Sequence, residues 1–257
     1  MKDFIFDKII SFFSSISGFL VILFIWMFYS GEFNPLILPS PRDTFSALEA
    51  LINSGQFHNN LLITLRRTFI GYFSAMMLGI ILAFLLFRFK ILLKPFRPII
   101  TVIQTIPPII WLALAVIWFG IAEDLTPIFL IFIVTFPIFF INVYEGLKDV
   151  DEEIIEMAVL YSASRKQIIF DIYFPQVLPH LVSAISIGLA FAYKSSIFAE
   201  FIGSSSGIGF ALSMANSNLE TDKLFAWALI LVFLMLIVEY LILKPIQNKV
   251  TEWRFDE

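Results

Sequence analysis

The chain has 257 residues, of which 59% are hydrophobic and 15% charged, with a mean hydropathy of +0.90. Soluble globular chains run at about 45–50% apolar and about 25% charged, so a soluble single-domain enzyme and a disordered chain are both excluded. The net charge of −4 gives no basic footprint for nucleic acid, and the absence of cysteine removes disulfides, thiolate metal sites and cysteine nucleophiles while leaving the redox compartment open.

A transmembrane helix needs about 20 predominantly apolar residues. Six stretches qualify: residues 9–29, 68–87, 99–119, 126–144, 181–201 and 224–243. The alternating ten-residue segments of a β-barrel are absent. The first stretch exceeds the apolar run of a signal peptide and no A-x-A site follows it, so it reads as a retained span. After it, Pro35, Pro39 and Pro41 lead into a weak helical period over 43–56, an expected outer-surface segment. Arg66 and Arg67 are expected to snorkel at the outer edge of the second span. Pro107 and Pro108 should free backbone carbonyls within the third, which in a transporter marks the path or else a packed kink. Lys194 and Glu200 fall inside the fifth span, six residues apart and so on different sides of a helix. Charges at that depth face the interior or water, which makes both candidates for a path or gate, or structural charges bonded to neighbouring spans.

Loop charge sets orientation. Lys2, Lys8, Arg88, Lys90, Lys94, Arg97, Lys148, Arg165, Lys166, Lys244, Lys249 and Arg254 share one side, twelve of the 17 basic residues. Both termini are therefore expected to be cytoplasmic. The inner loop 148–179 is too polar to span and too patterned to be slack. Asp149, Asp151, Glu152 and Glu153 suit the positive end of a helix running from about residue 152 to 161. Ser162-Ala163-Ser164 breaks it. Ser164 and Gln167 have capping-box spacing, and a second short helix should stop near Pro175. A bare connector in a bundle needs only about 2–8 residues, so this loop reads as a docking surface.

That loop resembles the E-A-A, three residues, G, nine residues, I-x-L-P motif in permease subunits of binding-protein-dependent ABC importers. Glu156-Met157-Ala158 opens it, Ser162 holds the glycine position, and Ile172-Tyr173-Phe174-Pro175 closes it, with spacing kept throughout. Met157, Ser162 and Phe174 depart in identity. Ile106-Pro107-Pro108, Trp118-Phe119-Gly120, Ala192-Tyr193-Lys194, Ala199-Glu200-Phe201-Ile202-Gly203 and Ser206-Gly207-Ile208-Gly209 are similar to the same family, nearest its nitrate/sulfonate/taurine branch, which also includes permeases for thiamine-precursor pyrimidines and riboflavin. The resemblance implies an all-α, polytopic fold of the type I importer (MetI-like) class with six transmembrane helices. It divides the chain into an N-terminal helix and outer segment (1–60), a transmembrane core (61–250) and a cytoplasmic tail (251–257). It also implies a coupling helix whose contacts with the ATPase fall on Glu156, Ala158, Ser162, Ala163, Ser164 and Arg165. The implied partners are two ATPase subunits, a second permease copy and an extracytoplasmic solute-binding protein, in the inner membrane of a prokaryote. The implied cargo is a sulfonate-, nitrate- or taurine-like anion, a thiamine-precursor pyrimidine or riboflavin.

No G-x-x-x-x-G-K-[ST] loop occurs, so no cofactor is expected on this chain, and ATP with Mg belongs on a partner. Gly203-Ser204-Ser205-Ser206-Gly207 matches G-x-S-x-G by letter but lacks its strand and a following His, and reads as a flexible outer loop, a re-entrant hairpin in the dimer. Two other classes compete. An ion-driven carrier would show an internal repeat, and none is found. An intramembrane hydrolase needs a His or paired carboxylate near a nucleophile at depth, and only Lys194 and Glu200 lie there.

Overall fold

The structure, a computed structural model, describes residues 17, 18, 20–121 and 123–246. The start of the first expected span, the residues 251–257, and Lys2, Lys8, Lys249 and Arg254 lie outside the described residues. The helices are α1 (Leu20–Glu32), α2 (Pro41–Asn53), α3 (Gln56–Arg88), α4 (Lys90–Thr105), α5 (Pro108–Phe119), α6 (Leu125–Lys148), α7 (Glu152–Leu160), α8 (Arg165–Gly203), α9 (Ile208–Ser217) and α10 (Thr221–Ile246). No strand occurs among the described residues. Four of these helices are long and apolar enough to cross a membrane, and the bent pair α4–α5 makes up to five. The described part of α1 adds a shorter apolar helix at the first expected span.

Two compact units form. One comprises residues 59–210 with 232–257 and the other residues 1–58 with 211–231. The first is centred on α6, of which a large part is buried. Lipid tails are as apolar as leucine, so packing rather than the hydrophobic effect holds such helices together, and small residues let backbones approach. On α3, Gly71, Ala75, Gly79 and Ala83 recur every four residues and are all buried. A Cβ at Gly79 would stand 2.6 Å from that of Phe139 on α6. Along α6, Phe132, Phe136, Phe140 and Tyr144 stack at successive turns with centroids 5.7, 6.4 and 5.8 Å apart. Tyr72 on α3 donates its hydroxyl proton to the Ile185 carbonyl of α8 at 2.9 Å.

Four expectations need correction. α3 begins at Gln56 rather than near 68, because Gln56, His58, Asn59 and Asn60 lower local hydropathy without disfavouring helix. The third span is not one rod: α4 and α5 meet at 97°. Pro107 and Pro108 have no N–H, so the carbonyls of Ile103 and Gln104 lose their helical donors. Trp111 Nε1 donates to the Ile103 carbonyl at 3.2 Å in compensation. The helix after Ser164 does not stop near Pro175. It runs 39 residues to Gly203, through Pro175 and Pro179. A π-helical turn over Ile168–Tyr173 precedes Pro175, with the Phe174 N–H bonded to the Ile169 carbonyl. Its wider winding accommodates a ring that would otherwise clash with the preceding turn. Residues after Gly203 are not slack either, since α9 follows almost at once.

α4 runs antiparallel to α6. Lys90 and Leu93 share a groove with Tyr144, Leu147 and Lys148 at the C-terminal end of α6. Ile103 packs on the cluster around Leu112, Leu130 and Ile133, toward the other end. The second unit is held by its own contacts. Trp26 Nε1 donates to the Pro39 carbonyl at 2.9 Å, the Trp26 and Phe225 rings lie 5.8 Å apart, and Thr221 Oγ1 donates to the Pro35 carbonyl at 2.9 Å. Ser40 caps α2 through the Asp43 N–H.

Candidate functional site

At the α7 end of the core, a short helix is closed at both ends by its own sequence. Asp151 Oδ1 accepts from the Glu153 N–H at 2.9 Å, and Glu152 and Glu153 occupy the first turn, where the helix dipole favours them. α7 terminates in a left-handed residue, Ser162 with φ 58°. The Ala163 N–H bonds the Ala158 carbonyl at 2.9 Å and the Ser162 N–H bonds that of Val159 at 2.9 Å, so freed carbonyls are recaptured. Ser164 then opens α8. Its Oγ accepts from the Gln167 N–H and its own N–H donates to Gln167 Oε1 at 2.9 Å, the expected capping box. The turn is therefore a fixed shape.

Leu160 and Tyr161 stand 83% and 84% exposed at its tip, beside exposed Met157 and Val159. Four neighbouring large apolar side chains are thus left bare on one small element. Glu156, Ser162, Ser164 and Arg165 are exposed, and Ala158 and Ala163 are half-buried. Glu156 also lines a groove of about 630 Å³ with Glu152, Lys90, Arg97 and Lys148.

At the opposite end of the core lies a buried ionic cluster that sequence reasoning did not assemble. Arg67 is 1% exposed, which corrects the expectation that it snorkels. Its Nη1 donates to Glu200 Oε1 at 3.1 Å and to the Ser206 carbonyl at 2.7 Å. Nη2 donates to Ser206 Oγ at 2.9 Å and Nε to Asp124 Oδ1 at 2.8 Å. Arg66, largely exposed, also pairs with Asp124. Glu200 is fully buried and accepts from Thr64 Oγ1 at 2.8 Å and the Gly209 N–H at 3.1 Å. The Asn60 side chain accepts from the Gly207 N–H at 3.0 Å. Gly207 has φ 100°, and a Cβ there would sit 2.4 Å from the Glu200 carboxyl. The G-x-S-x-G letters thus form a turn clamped onto α3 and α8. One signal could have narrowed the search: a carboxylate inside a span requires a cation at its own depth, and early α3 supplies two arginines, Arg66 and Arg67.

Lys194 is placed apart from this cluster, exposed on α8 in a line with Ile187, Phe191 and Phe198. Pro107 and Pro108 form the break between α4 and α5 and are exposed. Among the described residues no group of three or more His, Cys, Asp or Glu could hold a metal ion.

Residues 75–249 match the family described as the binding-protein-dependent transport system inner membrane component. The chain belongs to this family. It is 28% identical over 225 residues to the taurine transport system permease protein TauC of Escherichia coli (strain K12), covering 86% of this chain and 81% of that protein. It is 27% identical over 237 residues to the formylaminopyrimidine transport permease protein ThiX of Halalkalibacterium halodurans, covering 92% and 94%. Among solved structures, a chain of the MetNI methionine ABC transporter in an inward-facing conformation aligns at TM-score 0.62 and 21% identity, covering 74% of this chain and 93% of that one, a shared fold. The family member described here is a multi-pass permease subunit of a binding-protein-dependent ABC transporter and not an enzyme.

Proposed function

We propose that this permease forms half of the path of an ATP-driven importer for a small solute of the sulfonate and taurine class. Two copies pair, two ATPase subunits dock on their α7 turns, and a solute-binding protein delivers cargo from the far side. Both termini and α7 face the cytoplasm, and the Arg67–Glu200 cluster lies toward the outer face. The observation that carries this reading is the α7 turn: rigidly capped, apolar at its tip and continuous with α8, it suits a groove in a partner that moves. ATP-driven closure of the ATPases displaces the α7 turns and rocks the helices between inward-open and outward-open states. Glu156, Ala158, Ser162, Ala163, Ser164 and Arg165 are the ATPase-contacting positions. Lys194 and the break at Pro107 and Pro108 line the path. Glu200 acts as part of an outer gate through its hold on the 204–207 turn.

The test is co-purification in mild detergent with mass spectrometry and an ATPase assay on the eluate. A P-loop ATPase at one copy per permease is expected. Glu156→Lys should insert normally while uncoupling ATP hydrolysis from solute uptake in proteoliposomes, and a variant that transports at the parental rate would remove α7 from the coupling route.

A further inference from the structure

The geometry points to α4 as the wall of the translocation path, carrying an anion-selective stripe: Lys90, Lys94, Arg97, Thr101, Gln104 and Thr105. This rests on the reading of the chain as half of a solute path and names a face that lines it and the charge it accepts. The six residues recur at spacings of three and four over α4 and fall on one side of a helix with 3.6 residues per turn. All are exposed. The flank that includes Leu93, Phe96, Ile100 and Ile103 packs into the core. The flank that includes Ile91, Ile99 and Val102 is exposed and apolar, at 80%, 50% and 55%. α4 therefore has three faces: one against protein, one suited to lipid, and one polar.

A helix lying in the interface could carry a basic stripe toward headgroups. α4 is not such a helix, because it tracks α6 from the level of Leu147 to that of Leu130. Its polar face is thus carried about 20 Å through the apolar layer at about 1.5 Å per residue. An amide such as that of Gln104 is unfavourable against hydrocarbon, so the stripe borders water or polar protein. Thr101 and Thr105 direct their hydroxyl protons back to the carbonyls of Arg97 and Thr101, at 3.1 and 2.8 Å, which keeps the wall smooth. The stripe ends at the Pro107–Pro108 break, where Pro108 leaves the Gln104 carbonyl without a helical donor. α4 contains no acidic residue. Glu152 and Glu156 face Lys90 and Arg97 only across the groove at the α7 end. The stripe is cationic at that mouth and neutral and hydrogen-bonding deeper in. This grading draws an anion along α4 without a deep trap.

The natural absence of cysteine makes a direct test available. Single substitutions Thr101→Cys, Gln104→Cys and Thr105→Cys on the stripe, and Ile99→Cys and Val102→Cys on the apolar flank, are introduced into the full chain. Inverted membrane vesicles are treated with a sulfonate-bearing methanethiosulfonate or its trimethylammonium counterpart, and labelling rates are read by mass shift. The stripe positions should label far faster than the flank, because only a hydrated thiol ionises and reacts. The sulfonate reagent should be favoured by about tenfold, as expected from charge focusing in a low-dielectric cleft. Arg97→Gln together with Lys90→Gln should abolish that preference at Gln104→Cys. Equal labelling of stripe and flank overturns the path assignment and gives the face to lipid or a packed partner. Preference for the cationic reagent, or none, overturns anion selectivity. The labelling pattern reads water and charge along α4, whereas co-purification reads the ATPase, so failure of one does not imitate failure of the other.

Discussion

Removing Arg67 alone should be the most damaging single change in the buried cluster. In Arg67→Met the stem volume is kept, but Glu200, fully buried, loses its cationic partner at 3.1 Å. Breaking a buried ion pair from one side costs about 3–5 kcal/mol, mostly the desolvation of the charge left behind. The Ser206 carbonyl and hydroxyl and Asp124 lose donors as well. At about 2–4 °C per kcal/mol for a chain of this size, the apparent midpoint of thermal unfolding in detergent should fall by about 6–20 °C. Glu200→Gln added to Arg67→Met removes the orphaned charge while keeping an acceptor for Thr64 and Gly209. The double variant should therefore recover at least half of the loss. Fluorescence-detected thermal unfolding of both singles and the double gives the coupling directly. Strict additivity would refute the claim that Arg67 and Glu200 act as one unit, and a midpoint unchanged in Arg67→Met would refute its burial.

Two further outcomes follow from local geometry. Gly207→Ala combines a left-handed φ with a 2.4 Å encounter with the Glu200 carboxyl, so it should lower stability by about 1–3 kcal/mol and expose the 204–207 turn to added protease. Ser162→Gly relieves the strain of φ 58° and should raise stability slightly, by about 0.5–1 kcal/mol, with ATPase association unchanged, whereas Ser162→Val should weaken association measured by co-purification.

Hydropathy located the spans because their composition is extreme. The capping of Ser164 by Gln167 and the start of α7 after Asp151 were also legible, since both depend on residues within four positions of one another. The Arg67–Glu200 pair was not. It joins residues 133 apart in sequence, and no local pattern encodes which helices become neighbours. The passage of α8 through Pro175 was hidden for a different reason. Proline's local penalty argued for a stop, and only a change of winding over Ile168–Tyr173 removes it. The 97° break was legible in kind, from two adjacent prolines, but not in size. The span reading of 99–119 counted apolar residues, and such a count carries no direction.

The 39-residue length of α8 has a mechanical consequence. At about 1.5 Å per residue it is a rod of about 58 Å, with the capped turn at Ser164 on one tip and Glu200 near the other. Its irregular winding lies close to the turn, over Ile168–Tyr173, so a fulcrum placed there would be off-centre, with the long arm toward Glu200. A tilt of about 10° at that fulcrum swings the Glu200 end through about 7 Å, over an arm of about 40 Å from the same rise. The short arm at Ser164 moves by only about 2 Å for the same tilt, over the roughly 14 Å that this rise allows. A small displacement at one tip is thereby multiplied several-fold at the other, where the Arg67 bonds must either follow or part.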